Sequence, residues 1–140
     1  MRTRPIERQC GQVVRDSPPQ LPIWLGAVVG GSALLLSGLI HLHLWLTGYR
    51  HVPVIGLLFV LQAALALVLA IAVLLRRQRW VFIVASIFLL GTIGGLLASV
   101  EVGLFGFRDA FNAPLAMESL LVETVGALVL AFLGLLVGPG

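Results

Sequence analysis

Between Ile23 and Thr47 the chain runs for 25 residues without a single Asp, Glu, Lys or Arg. At about 1.5 Å per residue, a helix of that length crosses the ~30 Å hydrocarbon layer of a bilayer. It is also well beyond the roughly 7–15 apolar residues of a cleavable signal peptide, so it reads as a retained first span. Three further apolar stretches of spanning length follow: residues 54–75, interrupted only by Gln62, residues 80–100, and residues from about 115 to 137, which carry Glu118 and Glu123. Four spans of about 20 residues need roughly 80 residues, which the 140 residues supply.

Composition agrees. The chain is 59% hydrophobic and only 11% charged, where a soluble domain carries about 25% charged residues. A chain so poor in charge has too few water-binding groups to coat a soluble globule, and its apolar content excludes disorder. The expected fold is all-α: a polytopic membrane protein built as an antiparallel four-transmembrane-helix bundle over residues 23–140. Residues 1–22 hold Arg2, Arg4, Arg8, Arg15 and four prolines, and are expected to form a flexible cytoplasmic tail.

The nine basic residues are all Arg. They are scattered over the tail and the loops and form no basic face, so the net charge of +3 does not point to nucleic acid. Their placement instead sets orientation. The tail and the 76–79 loop share one side and hold seven Arg, whereas the other side holds only Arg50 and Arg108. By the positive-inside rule both termini are expected in the cytoplasm, the protein residing in a bacterial cytoplasmic (inner) membrane. Cys10 is the only cysteine, which excludes an internal disulfide, a CxxC pair and a Cys-built zinc site.

In that orientation His41, His43, His51, Glu101, Asp109, Glu118 and Glu123 all fall in the outer half, and the inner half of every span lacks ionisable groups. Ionisable side chains at membrane depth are costly, about 2.5–3.5 kcal/mol on insertion scales, and are usually functional or paired. His41-Leu42-His43 invites a metal reading. On a helix, however, residues two apart point roughly 200° away from each other, so the two rings cannot share one ion.

Small residues indicate which histidine faces inward. Gly26, Gly30, Ala33 and Ser37 form a stripe that lets helices approach closely, and His41 continues it, whereas His43 lies off it toward the headgroups. In the other spans Gln62 shares a face with Ala66 and Ala70, Glu101 with Gly94 and Ala98, and Glu123 with Ser119, Gly126, Leu130 and Gly134. His41 and Glu123 each lie ~10 Å in from the outer ends at 1.5 Å per residue. The expected site is therefore an outward-open polar pocket of His41, Gln62, Glu123 and Glu101. His43, His51, Glu118 and Arg108 are peripheral to it. His41 and Glu123 are the candidate metal ligands, or else a polar clasp joining span one to span four. The 101–114 connection, with its three phenylalanines, is expected to lie in the interface, and Asn112-Ala113-Pro114 to start the fourth helix with Asn112 as its cap.

His41 to Phe59, together with Leu104-Phe105-Gly106-Phe107 and Glu118-Ser119-Leu120-Leu121-Val122-Glu123, resembles segments of uncharacterised four-span integral membrane proteins of GC-rich bacteria. The likeness spans the four helices but not the tail. It implies a fold and carries no activity.

No phosphate-cradling glycine loop, HExxH, serine elbow or cysteine nucleophile is present, so no catalytic residue is assigned and no cofactor is identified. Small four-span drug exporters carry their essential Glu in the first span, which here has none. The leading function is a non-enzymatic accessory or assembly partner with an outward-facing polar site, in contact with lipid and with other membrane proteins or its own copies. The alternative is binding or translocation of a metal ion or proton through His41 and Glu123. A haem- or redox-linked subunit stands third, because both in-span histidines come from one helix and a bis-His haem would need a dimer.

Overall fold

The computed structural model describes residues 20–138. Four α-helices account for most of them: α1 Gln20–Thr47, α2 Ile55–Arg76, α3 Arg79–Glu101 and α4 Ala116–Leu136. All four are long and apolar enough to cross a membrane, and the protein is a small multi-pass membrane protein. Large apolar side chains such as Leu39, Leu57, Val68, Leu75, Leu121 and Leu135 stand exposed around the circumference. Water would not tolerate a surface of that kind, and lipid does.

The helix ends follow local chemistry. α1 begins at Gln20, inside the stretch read as tail, and Pro22 is accommodated in its first turn, where no intrahelical N–H is needed. The rest of the tail, residues 1–19, lies outside the described residues. α2 ends with Arg76 in its last turn, a favourable charge at a helix C-terminus, and Arg77 adopts a left-handed conformation at φ 40°. With Gln78 extended, α3 starts at once. α3 in turn closes on Gly103, whose φ of +80° supplies the left-handed residue that often follows a helix end.

α4 begins later than its sequence suggests. Its cap is Leu115 at φ 62°, no side chain caps it, and Asn112 sits exposed in the preceding turn. The left-handed Leu115 breaks the chain direction after Pro114, so the expected Asn cap does not form.

α1 and α4 are the central pair. α1 packs on α2 with one face and on α4 with another, and α4 packs on α3, whereas α2 and α3 touch little. The order around the bundle is therefore α2, α1, α4, α3, with a loose seam between α2 and α3. Glycines set the closest approaches. A Cβ on Gly126 would lie 2.7 Å from Ala33 Cβ, and one on Gly30 would lie 2.5 Å from Leu130 Cδ2. This is the close packing of small residues that membrane helices use in place of a hydrophobic driving force.

Packing density differs between the two ends. Leu34, Val73, Phe82, Leu89, Leu130 and Leu133 belong to one dry core, toward the end that holds the 77–78 link. The end that carries residues 48–54 and 102–115, here called the capped end, is hollow.

Candidate functional site

The hollow is a cavity of about 500 Å³ lined by all four helices and both connections of the capped end. It exists because α2 and α3, held together by the short 77–78 link, splay apart toward their other ends. The α3 wall includes Gly91 and Gly95, where an added Cβ would meet nothing within 4 Å. The α2 wall includes Leu61 and Leu65, both about half exposed on the outside of the bundle. The cavity thus continues into the α2–α3 seam and reaches the lipid-facing surface.

Its polar end centres on Glu123, only 1% exposed. Ser37 Oγ donates to Glu123 Oε1 at 2.7 Å, and Ser119 Oγ donates to the same oxygen at 3.1 Å. His41 lies beside them with Nδ1 3.9 Å from Glu123 Oε1, too far for a hydrogen bond. Nδ1 instead lies 2.9 Å from the Ser37 carbonyl oxygen. A carbonyl only accepts, so Nδ1 carries the proton, which leaves Nε2 as an acceptor in the neutral ring. The direct His41–Glu123 clasp expected from sequence is thus replaced by Ser37. The serine is four residues earlier on the same stripe, and its short side chain reaches the carboxyl first.

Gln62 lines the cavity from α2, and among the described residues its buried Nε2 has no hydrogen-bond partner. An unpaired buried donor is uncommon and costs about 1–3 kcal/mol.

Glu101 does not join the site. It ends α3 exposed, and its backbone carbonyl accepts from the Arg108 guanidinium. The expected face of Gly94, Ala98 and Glu101 turns away from the core: Gly94 and Glu101 are exposed, while Phe82, Ala85, Ser86 and Leu89 are buried. Large side chains outrank the small-residue stripe here because the splayed α2 offers that stripe no partner. Asp109 takes the place of Glu101. Its N–H lies 3.2 Å from Ser99 Oγ and 3.3 Å from the Ser99 carbonyl, which folds the loop back over the cavity. By sequence Asp109 counts only among the outer-half charges, and nothing in its spacing assigns it to the pocket.

The peripheral residues stand outside. His43 is exposed on the opposite side of α1 from His41, as their spacing requires. His51 Nε2 accepts from Arg50 Nε at 3.0 Å, in the open. Glu118 is exposed in the first turn of α4, a favourable place for a negative charge.

Aromatic rings roof the cavity. Tyr49 stacks on Phe59 at 4.8 Å between centroids and meets Phe107 edge-on at 5.6 Å, and Phe59 meets His41 edge-on at 5.0 Å. Gly56 makes the roof possible, since a Cβ there would lie 2.6 Å from the Tyr49 carbonyl oxygen. The Leu104–Phe107 turn has positive φ at both Phe105 and Gly106, the pattern of a type I′ two-residue turn. That turn sends Phe107 inward and leaves Phe105 68% exposed, so the three phenylalanines do not share one environment. Burial, and then the nearby Asp109 carboxylate, raise the Tyr49 phenol above its ordinary 10.0.

Among the described residues no three His, Cys, Asp or Glu side chains come together as a metal would need. The two ligand candidates of the sequence, His41 and Glu123, come within 3.9 Å of each other without a third among the described residues. Compared with known protein families, curated proteins and solved structures, the chain matches none.

Proposed function

We propose that this membrane protein is a non-enzymatic binding protein, an accessory to other membrane proteins, whose capped end holds a small ligand around Glu123. The carrying observation is a fully buried carboxyl at the polar end of a cavity of about 500 Å³, a volume typical of small-molecule sites at about 300–1,000 Å³. Both serine hydroxyls donate to Glu123, an arrangement that orients the carboxyl and suits recognition. The seven-to-two Arg distribution supports an orientation with the termini in the cytoplasm of a bacterial cell and the cavity facing outward. Partners of the accessory role are other membrane proteins or further copies of the chain.

A proton-exchanging site is the second reading, favoured by the 3.9 Å approach of His41 to Glu123.

Dicyclohexylcarbodiimide, an apolar reagent that adds to carboxyl groups, tests the binding reading. Peptide mass spectrometry is expected to find Glu123 labelled in membranes, and Gly95→Leu, which fills the cavity, to suppress that labelling. Labelling of exposed Glu118 with none at Glu123 would show that small molecules do not reach the site.

A further inference from the structure

The lining of the cavity carries information about the charge of what it binds. Its acidic groups are Glu123 and Asp109, and neither Arg nor Lys lines it. The two arginines of the capped end are turned elsewhere: Arg50 donates to His51, and Arg108 donates to the Glu101 carbonyl. An anionic head, whether phosphate or carboxylate, would meet two carboxyl groups and no fixed positive charge. An ammonium would meet the Glu123 carboxyl with the His41 ring beside it, in a cavity whose lining also includes the aromatic side chains of Phe59 and Tyr49.

The second indication is Gln62. Its Nε2 is a buried donor with no partner among the described residues, and it lines the same cavity as Glu123. A ligand oxygen close to the ammonium would satisfy it. The third is the shape. Apolar walls run from this polar end into the α2–α3 seam, where Leu61 and Leu65 are half exposed and Gly91 and Gly95 leave room beside α3. A molecule with an apolar body can enter from the hydrocarbon layer and leave its chain in the seam.

We infer that the cavity takes an amphiphilic amino alcohol from the bilayer, its ammonium held by Glu123 and His41, its oxygen by Gln62, and its apolar chain lying between α2 and α3. This assignment rests on reading the cavity as a ligand site and names the class of ligand.

Three probes of equal chain length separate the possibilities: 1-aminododecan-2-ol, dodecanol and dodecanoate, each at the same mole fraction in nanodiscs carrying the full chain. Binding is followed by the shift in thermal unfolding midpoint. The amino alcohol is expected to bind at least about tenfold more tightly than the other two. Glu123→Gln, which keeps an acceptor oxygen for Ser37 and Ser119, is expected to reduce its binding to the level of dodecanol. Gly95→Leu is expected to abolish the ligand-induced shift while leaving the unliganded transition in place, since its new side chain enters open space.

Equal shifts from all three probes, or an amino-alcohol shift that survives in both variants, would overturn the assignment. If Glu123 still reacts with carbodiimide in that case, the cavity remains a ligand site and only the amine class falls. If it does not, both readings fall together.

Discussion

Ser37 Oγ donates a 2.7 Å hydrogen bond to Glu123 Oε1, joining α1 to α4 across 86 positions of the chain. Both residues are buried, and they meet where the dry core gives way to the cavity. A carboxyl at that depth needs partners. It finds them in two serines, with an imidazole held nearby by its bond to the Ser37 carbonyl. Ser37 therefore acts twice, its hydroxyl fixing Glu123 and its carbonyl fixing the His41 ring.

A double-mutant cycle can measure that relationship. Ser37→Ala is expected to destabilise the bundle by about 1 kcal/mol, in the range of interhelical hydrogen bonds in membranes. Combined with Glu123→Gln, its loss should be less than additive. His41→Ala, whose ring makes no hydrogen bond to the carboxyl, should couple to Glu123→Gln more weakly than Ser37→Ala does. Unfolding by SDS titration reads all these variants, and a stronger coupling for His41 than for Ser37 would contradict the geometry.

The glycines of α3 and α4 should respond oppositely to the same change. A methyl group on Gly126 would meet Ala33 Cβ at 2.7 Å and Leu89 Cδ1 at 2.8 Å. Ala33 can yield only by moving the α1 backbone, so Gly126→Ala is expected to cost about 1–3 kcal/mol. Gly94 has nothing within 4 Å, so Gly94→Ala should be neutral, or stabilising by up to about 1 kcal/mol through helix propensity. The same unfolding titration decides between them.

What the sequence could reveal followed from periodicity and charge. Apolar runs of helix-spanning length mark all four helices, the fourth despite Glu118 and Glu123, and the small-residue stripe of α1 brings Gly30 and Ala33 against α4. The faces of Gln62 and Glu123 were legible for the same reason, since each shares its face with small residues that do meet a neighbouring helix. Glu101 was misplaced because a stripe of small residues signals close approach only where a partner helix is present, and α2 splays away from that part of α3. The serine clasp was hidden because a hydroxyl gives no periodic or charge signal, although Ser37 and Ser119 were both on inward faces. Asp109 could not be assigned to the site from spacing, since its place depends on a loop that folds back onto Ser99.

Orientation can be tested with the single thiol. Cys10 precedes α1, and the orientation proposed from the Arg distribution would have it in the cytoplasm. In intact cells a membrane-impermeant maleimide is expected to leave Cys10 unmodified until the membrane is permeabilised. Modification without permeabilisation would reverse the topology and turn the cavity toward the cytoplasm.

Tyr49 reports on the roof of the cavity, because it is the only tyrosine and its ionisation adds absorbance near 295 nm over a tryptophan background that does not change with pH. Its phenol is raised above 10.0, first by burial against the aromatic roof and then by the Asp109 carboxylate, since both disfavour a second negative charge there. Titration at 295 nm is expected to show ionisation above the ordinary value, and Asp109→Asn should move it partway back by removing the smaller cause. The sign for stability follows from linkage. A raised value in the folded state means that the unfolded chain loses this proton first, so the contribution of Tyr49 is fully present below about pH 10 and declines as pH rises through the folded-state value. Tyr49→Phe should remove that alkaline decline while keeping the stacking on Phe59. An ordinary titration for Tyr49, unchanged by Asp109→Asn, would show that the 102–115 connection does not close over the cavity.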